Sequence, residues 1–505
     1  MAEEKHDNIA DNDVTYDHIV KYTGLFGGAQ TTTLLISVVK TKLAAWLLGS
    51  SGIALISMYN KVMSLINQTT NFGISFSAVK HIAELSELED QGKVRDIIDT
   101  VRLWSLLTAL LGGMVCLFLA PWISLWSFGN YDYTTEFCVL SLVVAMMAIT
   151  GGELAILKGM KRLKRIAAVS VLSTLGTLLS CVPCYYFLGV RGVVLSLLIS
   201  NAVILFIHLN SSSKVVPWHT SILSMKYFRQ GVPMIKLGVA FLLAGMLGQG
   251  ADWFIHSFIL RHSNLDVLGF YNTGYFLAIT LGSLMFSSVE ADFFPRLSVI
   301  ANDVRRMNVT VNRQIEVCVL LIVPCLIMEI IAMPLIIRVL YTAEFAQSAP
   351  MAVCAAFYLL FKAMTLPVAY LALAKGESFT YLSAEFVYDV FIAVVIPFSF
   401  TRYGLMGAGC ALSLASLFDF VFIHTFYGAK YGFRFSLRPA KGYLCQFLLL
   451  ASCVYASIQP VVWLRVAIYV CALSLSLWIS CRVLSRESDA VLLLMDKVKR
   501  KLGKR

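Results

Sequence analysis

Charge is what this chain has least of. Only 14% of its 505 residues are charged, 58% are hydrophobic, and the mean hydropathy is +0.76. That balance excludes a soluble multidomain protein and leaves a polytopic membrane protein. The net charge of +11 is not a nucleic-acid footprint, because the basic residues lie between apolar segments instead of along one face. Also missing are a Walker loop, a Gly-rich dinucleotide turn and any metal-ligand spacing, so no cofactor or metal is expected and ATP hydrolysis has no motif to rest on. The twelve cysteines fall almost entirely within apolar segments, which argues against a disulfide framework. Cys181 and Cys184 flank Pro183 late in one such segment and read as small apolar residues at a kink, without the βαβ context of a redox motif. The first twenty residues, MAEEKHDNIADNDVTYDHIV, are acidic and polar, so no cleavable signal peptide is expected.

What the chain does have is apolar segments long enough to cross hydrocarbon, which takes about 20 residues each. Fourteen are expected, near 19–48, 52–81, 102–127, 136–158, 166–188, 191–210, 230–260, 267–291, 314–341, 348–373, 379–401, 405–428, 442–459 and 462–483. An even number puts both termini on one side. About thirty of the 41 lysines and arginines fall in the loops and tails of that side, against Arg191, Arg261, Arg338, Arg402 and Arg465 on the other. By the positive-inside rule the termini are cytoplasmic. The outward loops are short and leave no room for an extracytoplasmic domain. Two longer inward connections, 84–100 and 298–311, read as surface-lying amphipathic helices or as ordinary packing.

An internal repeat runs through the chain. LAILKG at 154–159 returns as LALAKG at 371–376; Gly189 and Gly192 return as Gly404 and Gly407; Phe206–His208 returns as Phe422–His424; Lys21 matches Lys236. The offset stays near 216, each match sits at the same place in its segment, and six segments per repeat imply parallel halves. The expected architecture is therefore all-α: two six-helix lobes related by a pseudo-two-fold along the membrane normal, plus two C-terminal helices. The boundaries read as a tail at 1–18, an N-lobe at 19–210, a linker at 211–229, a C-lobe at 230–430, the last two spans within 442–483 and a basic tail at 484–505.

Polar residues inside the spans mark candidate sites, because a charge at helix centre costs about 3 kcal/mol on insertion scales. Lys40 and Lys42 lie in the first span on opposite faces, and each either lines a hydrated cavity or snorkels to the interface. In the second span Asn60, Ser64, Asn67 and Asn71 form one stripe, with Lys61 and Gln68 beside it. Amides and hydroxyls suit sugar hydroxyls and a lysine suits phosphate, although interhelical hydrogen bonding is the plainer alternative. In the seventh span Gln249, Asp252 and His256 share a face, which makes a proton site or a satisfied structural pair. Glu385 and Asp389 can close an ion cluster with Lys362, to couple a cation or to neutralise that lysine. Glu153, Glu329 and Asp419 show no evident partner. The first half leans cationic (Lys21, Lys40, Lys42, Lys61) and the second acidic, which suggests an anion on one lobe and a coupling cation on the other.

KTKLAAWLLGSSGIALISMYN, the following TTNFGISFSAVKHIAE, the ILKG before a basic loop, and GADWFI with LGFYNTGY together resemble Wzx-type polysaccharide flippases. These belong to the multidrug/oligosaccharidyl-lipid/polysaccharide exporter superfamily, and the resemblance covers about residues 18–430. It implies two six-helix lobes in a V, carrying an undecaprenyl-pyrophosphate-linked oligosaccharide (an O-antigen or capsule repeat unit) to the outer leaflet of a bacterial inner membrane. It further implies a cationic cavity for the pyrophosphate, coupling to H+ or Na+, and a polysaccharide polymerase or glycosyltransferases as partners. By position Lys42, Lys61 and Asp252 match charged sites of relatives. Fourteen spans depart from many Wzx proteins and match the lipid II flippases, so lipid II is the alternative substrate. A multidrug cation antiporter of the same superfamily suits the lysine-bearing first lobe poorly. A polymerase or ligase enzyme lacks its outer catalytic loop here, and a channel needs no repeated lobes.

Overall fold

The computed structural model describes residues 3–87, 91–218, 224–436 and 440–487. All regular structure among them is helical. The helices are α1 (Glu3–Thr70), α2 (Ile74–Glu87), α3 (Gln91–Phe128), α4 (Thr134–Gly159), α5 (Leu163–Leu188), α6 (Gly192–Ser213) and α7 (Met225–His262). They continue with α8 (Leu265–Ile300), α9 (Val304–Leu340), α10 (Ala349–Cys354), α11 (Ala356–Ala374), α12 (Ser378–Tyr431), α13 (Ala440–Ile458) and α14 (Val462–Glu487). Nine stretches among the described residues are long and apolar enough to cross a membrane. Three of the nine carry two expected spans each, and the expected 230–260 and 267–291 fall within α7 and α8. The protein is an all-α, multi-pass membrane protein.

The doubled stretches break at a recurring device. Gly49 (φ 66°), Gly189 (φ 57°) and Gly404 (φ 59°) each leave the helix through the left-handed region, which residues with a Cβ enter only at a cost. Three positions on, Gly52, Gly192 and Gly407 start the next helix against the end of the last. A Cβ there would come within 2.3 Å of Leu48 Cβ, the Cys184 carbonyl and the Ser399 carbonyl, respectively. Two of these three pairs are the glycines that the repeat aligns. The aligned imidazoles also match: His208 Nδ1 donates to the Ile204 carbonyl and His424 Nδ1 to the Phe420 carbonyl, both at 2.8 Å. Where α12 reverses at Gly404, Phe391 stacks on Phe418 across the hairpin at 4.0 Å.

Contacts divide the chain into Met1–Asp266 and Val267–Arg505. The expected linker at 211–229 differs from this boundary, because α7 packs into the first unit. Trp104 of α3 stacks on Phe228 at 5.0 Å and its indole donates to the Phe228 carbonyl at 3.2 Å. Within the first unit, the turn at Gly49 meets the head of α8, where Ser50 Oγ donates to Asp266 at 2.6 Å, and the end of α7 meets the end of α3, where Arg261 donates to the carbonyls of Leu125 and Trp126. In the second unit, a core of α9, α11, α12, α13 and α14 residues centres on Val319, Val323, Leu360 and Leu450.

Residues 88–90 lie outside the described residues; among the described ones neither inward connection forms a separate surface helix, since 84–87 end α2. Asp303 caps α9 by accepting from the Arg305 and Arg306 amides, and helical periodicity then runs unbroken into the span. At 1.5 Å per residue the 37-residue α9 is about 55 Å long, against about 30 Å of hydrocarbon. The amphipathic stretch is the protruding head of a spanning helix, and 91–100 heads α3 in the same way.

The two glycines of a reversal play different parts. Gly404 has open space where a Cβ would go, so Gly404→Ala should cost only the backbone strain of its positive φ, about 1–3 kcal/mol. Gly407→Ala drives a methyl into a carbonyl and should lower the thermal midpoint of the purified protein further. Equal losses would contradict this division of roles.

Candidate functional site

The second half of α1 runs antiparallel to α7 in one steady register. Lys61 forms an ion pair with Asp252, and seven residues along on each helix Gln68 packs over Gly245, where a Cβ would meet its amide nitrogen at 2.1 Å. The expected polar stripe therefore splits. Its Lys61–Gln68 edge docks on α7, while Asn60 is exposed and Ser64 is half-buried. Asn67 buries an amide oxygen that has no hydrogen-bond partner. Asn71 lies just past the end of α1 and donates to Ser75 Oγ at 3.0 Å. His256 is buried, and its Nδ1 donates to the Asp252 backbone carbonyl at 2.6 Å, while the Asp252 carboxylate takes Lys61. The residues read as an anion site and an ion-coupling site thus meet in one pair.

In the first half of α1, Lys40 and Lys42 are both half-buried. Lys40 shares its face with buried Ala44, and Lys42 shares its face with Trp46, which is 68% exposed. The Lys21 side chain lies outside the described residues. Asn71 and Ser75 lead toward a cleft of about 510 Å³ between α2 and α4, lined by Ser75, Lys80, Gly151 and Lys158. Sequence reasoning counted Lys80 and Lys158 only as loop charges. Their convergence depends on α2 folding back on α4, which no local pattern signals.

Three assignments of intramembrane charge need correction. Glu153, read as partnerless, pairs with Arg102 at 3.3 Å. Arg102, read as a loop cation, is buried: it also donates to the carbonyls of Val216 (2.8 Å) and Pro217 (3.2 Å) and lies under the Trp218 ring. Asp419, also read as partnerless, holds Lys362 at 3.3 Å. The cause is the reversal at Gly404, which returns α12 alongside α11. Ser413 donates to the Cys354 carbonyl, Ser416 to the Tyr358 carbonyl, and one turn on Asp419 meets Lys362. Tyr388 presents its ring to the same ammonium at 5.1 Å, Glu385 lies within its electrostatic reach, and Asp389 keeps contacts of its own. Glu329 is buried with no ion pair among the described residues.

A family profile described as "Polysaccharide biosynthesis protein" matches residues 43–350. The chain belongs to this polysaccharide biosynthesis family. No curated protein matches it. Among solved structures it is similar to the lipid II flippase MurJ in an inward closed conformation, at 14% identity and TM-score 0.69, over 91% of this chain and 99% of that one. It is also similar to an inward-facing multidrug-resistance MATE transporter of the MOP superfamily, at 14% identity and TM-score 0.64, over 79% of this chain and 95% of that one. A MOP-superfamily transporter from Pyrococcus furiosus aligns at 16% identity and TM-score 0.55, over 81% and 95% of the two chains. At such identities the likeness is one of fold.

In this polysaccharide biosynthesis family member two ion pairs of the first unit, Lys61–Asp252 and Arg102–Glu153, differ in their exposure. The side chains of Lys61 and Asp252 are 25% and 29% exposed; those of Arg102 and Glu153 are 0% and 2% exposed. A partly exposed pair can exchange partners. A dry one cannot, because opening it strands a buried charge at a cost of about 3–5 kcal/mol. Glu153→Leu should therefore lower stability by about that amount in a detergent melt, and Asp252→Asn by about 1 kcal/mol or less. The reverse order would show that the Lys61 pair is the structural one.

Proposed function

We propose that this protein is a flippase, and not an enzyme, that moves an undecaprenyl-pyrophosphate-linked oligosaccharide across the bacterial inner membrane by ion-coupled alternating access. Both termini lie in the cytoplasm in this reading. The observation that carries the proposal is the partly exposed Lys61–Asp252 pair between two spanning helices. The contact with the Asp252 carboxylate offsets part of the roughly 3 kcal/mol cost of a lysine in the bilayer. A coupling cation, H+ or Na+, held at Asp252 removes that compensation. Lys61 is then left with a deficit that a pyrophosphate, carrying more than one negative charge, relieves better than one carboxylate.

Cation binding at Asp252 and anion binding at Lys61 thus favour each other, and by linkage the two effects are equal in size. The Asn60–Ser64–Asn67–Asn71 line offers the amides and hydroxyls that sugar hydroxyls accept and donate to. Lys80 and Lys158 give a phosphate its first cations at the inner end. Lys42 and Lys21 supply cations at either end of the first span, with Lys40 on another face, while Glu385 and Asp389 stand as the second candidate ion site. A cationic drug suits this arrangement badly, since both Asp252 and Glu153 already hold a basic side chain. The basic inner ends of the helices are where a glycosyltransferase or a polymerase handing over a lipid-linked anion would dock.

The test is transport of a fluorescent undecaprenyl-pyrophosphate oligosaccharide in proteoliposomes. Lys61→Gln should abolish flipping and Lys61→Arg should retain most of it. Asp252→Asn should equilibrate the lipid without responding to an imposed ion gradient. Wild-type rates for Lys61→Gln at normal protein levels would overturn the mechanism.

A further inference from the structure

We propose that a second anion site, unconnected with the Lys61 pair, binds the headgroup of an acidic phospholipid in a cleft at the head of α9. The cleft measures about 1180 Å³ and lies between the first four turns of α9 and the extended chain after α12. Arg305, Arg313 and Arg434 line it, all three exposed, and none forms an ion pair among the described residues. Their neighbour Arg306 is the contrast, for Asp303 holds it at 3.4 Å. Glu316 is the one carboxylate among the described lining residues, so the cleft is net cationic. Guanidinium groups bind phosphate oxygens through paired N–H donors, and three around one cleft suit a phosphodiester.

The walls are fixed, which spares a ligand the cost of ordering them. Asn308 accepts from the Arg434 amide at 2.6 Å and donates to the Gly432 carbonyl at 3.1 Å. One turn on, Asn312 accepts from the Ser436 amide at 2.7 Å and donates to the Arg434 carbonyl at 2.9 Å. Two side-chain amides thus clamp an extended strand onto a helix and hold Arg434 opposite Arg305 and Arg313.

A lipid fits better than a soluble phosphate compound for two reasons. Val304 and Val309 in the same cleft are 46% and 50% exposed, so it offers apolar surface beside its cations. The head of α9 is also the part that a helix of about 55 Å places beyond a core of about 30 Å, at headgroup depth. Basic pockets between spanning helices at that depth hold acidic lipid headgroups. The reading of this end as cytoplasmic decides only which leaflet supplies the lipid. In micelles and symmetric vesicles the site is testable whether or not the chain is a flippase.

Native mass spectrometry of the full chain, titrated in detergent with phosphatidylglycerol or phosphatidylcholine, is the experiment. Wild type should retain one phosphatidylglycerol with at least a tenfold preference, and the Arg305→Gln/Arg313→Gln/Arg434→Gln variant should lose that preference. On the unaltered chain, photoreactive phosphatidylglycerol in vesicles should cross-link to 304–316 and 432–436, and a phosphatidylcholine probe should not. The proposal fails if the variant keeps its preference, if both probes label the cleft alike, or if neither labels it. It also fails if inorganic phosphate displaces the lipid at the lipid's own concentration, which would make the cleft a site for soluble phosphate compounds.

Discussion

A charge inside a bilayer is costly unless an opposite charge lies within reach, and three pairs between helices of this chain answer to that constraint. Arg102 with Glu153, Lys61 with Asp252, and Lys362 with Asp419 each join a lysine or arginine on one helix to a carboxylate on another. Each pair therefore fixes a register as well as a charge balance. The three are not equivalent. Arg102 gives its remaining donors to two backbone carbonyls and has no water to exchange with, which suits a fastener. Lys61 has no such secondary partners among the described residues and is partly exposed, which suits a group that changes partner.

The reversals make those pairings available. A helix that leaves through a left-handed glycine and restarts against a second glycine three residues later turns back in the shortest length of chain, so the two spans must lie side by side. In α12 this returns Ser413, Ser416 and Asp419 along α10 and α11 as a ladder, two hydroxyls to carbonyls and then a carboxylate to an ammonium. Hydroxyl-to-carbonyl bonds of this kind hold helices together where lipid offers no hydrophobic drive. The same turn geometry at Gly189 and Gly404 also gives the internal repeat a physical meaning: it repeats a hinge, with its clearance and its φ.

The segments, the repeat and the polar stripe were legible because they are local, written in runs of about 20 residues or in spacings of three and four. The partners were not. Spacing on one helix pointed Lys362 to Glu385 and Asp389, while its ion pair is with Asp419, which nears it only after the chain reverses. Arg102 sits at the edge of an apolar run and resembles a loop charge by position; only the chain at 216–218 folding over it shows that it is buried. Lys61 and Asp252 were each marked as functional, yet their meeting could not be read from two sequences 191 residues apart. One signal was available and unused: GSSG at 49–52 has the same Gly-x-x-Gly spacing as GVRG and GLMG, so the first hairpin could have been aligned with the other two.

The account turns on whether Asp252 and an anion compete for Lys61. The most direct measurement is the affinity of the purified protein for undecaprenyl pyrophosphate, compared between wild type and Asp252→Asn at one pH. Removing the competing carboxylate should tighten binding at least about tenfold, the ratio that about 1.4 kcal/mol represents. Adding Lys61→Gln to Asp252→Asn should cancel that gain. Equal affinities in wild type and Asp252→Asn, or a gain that survives the loss of Lys61, would contradict the account.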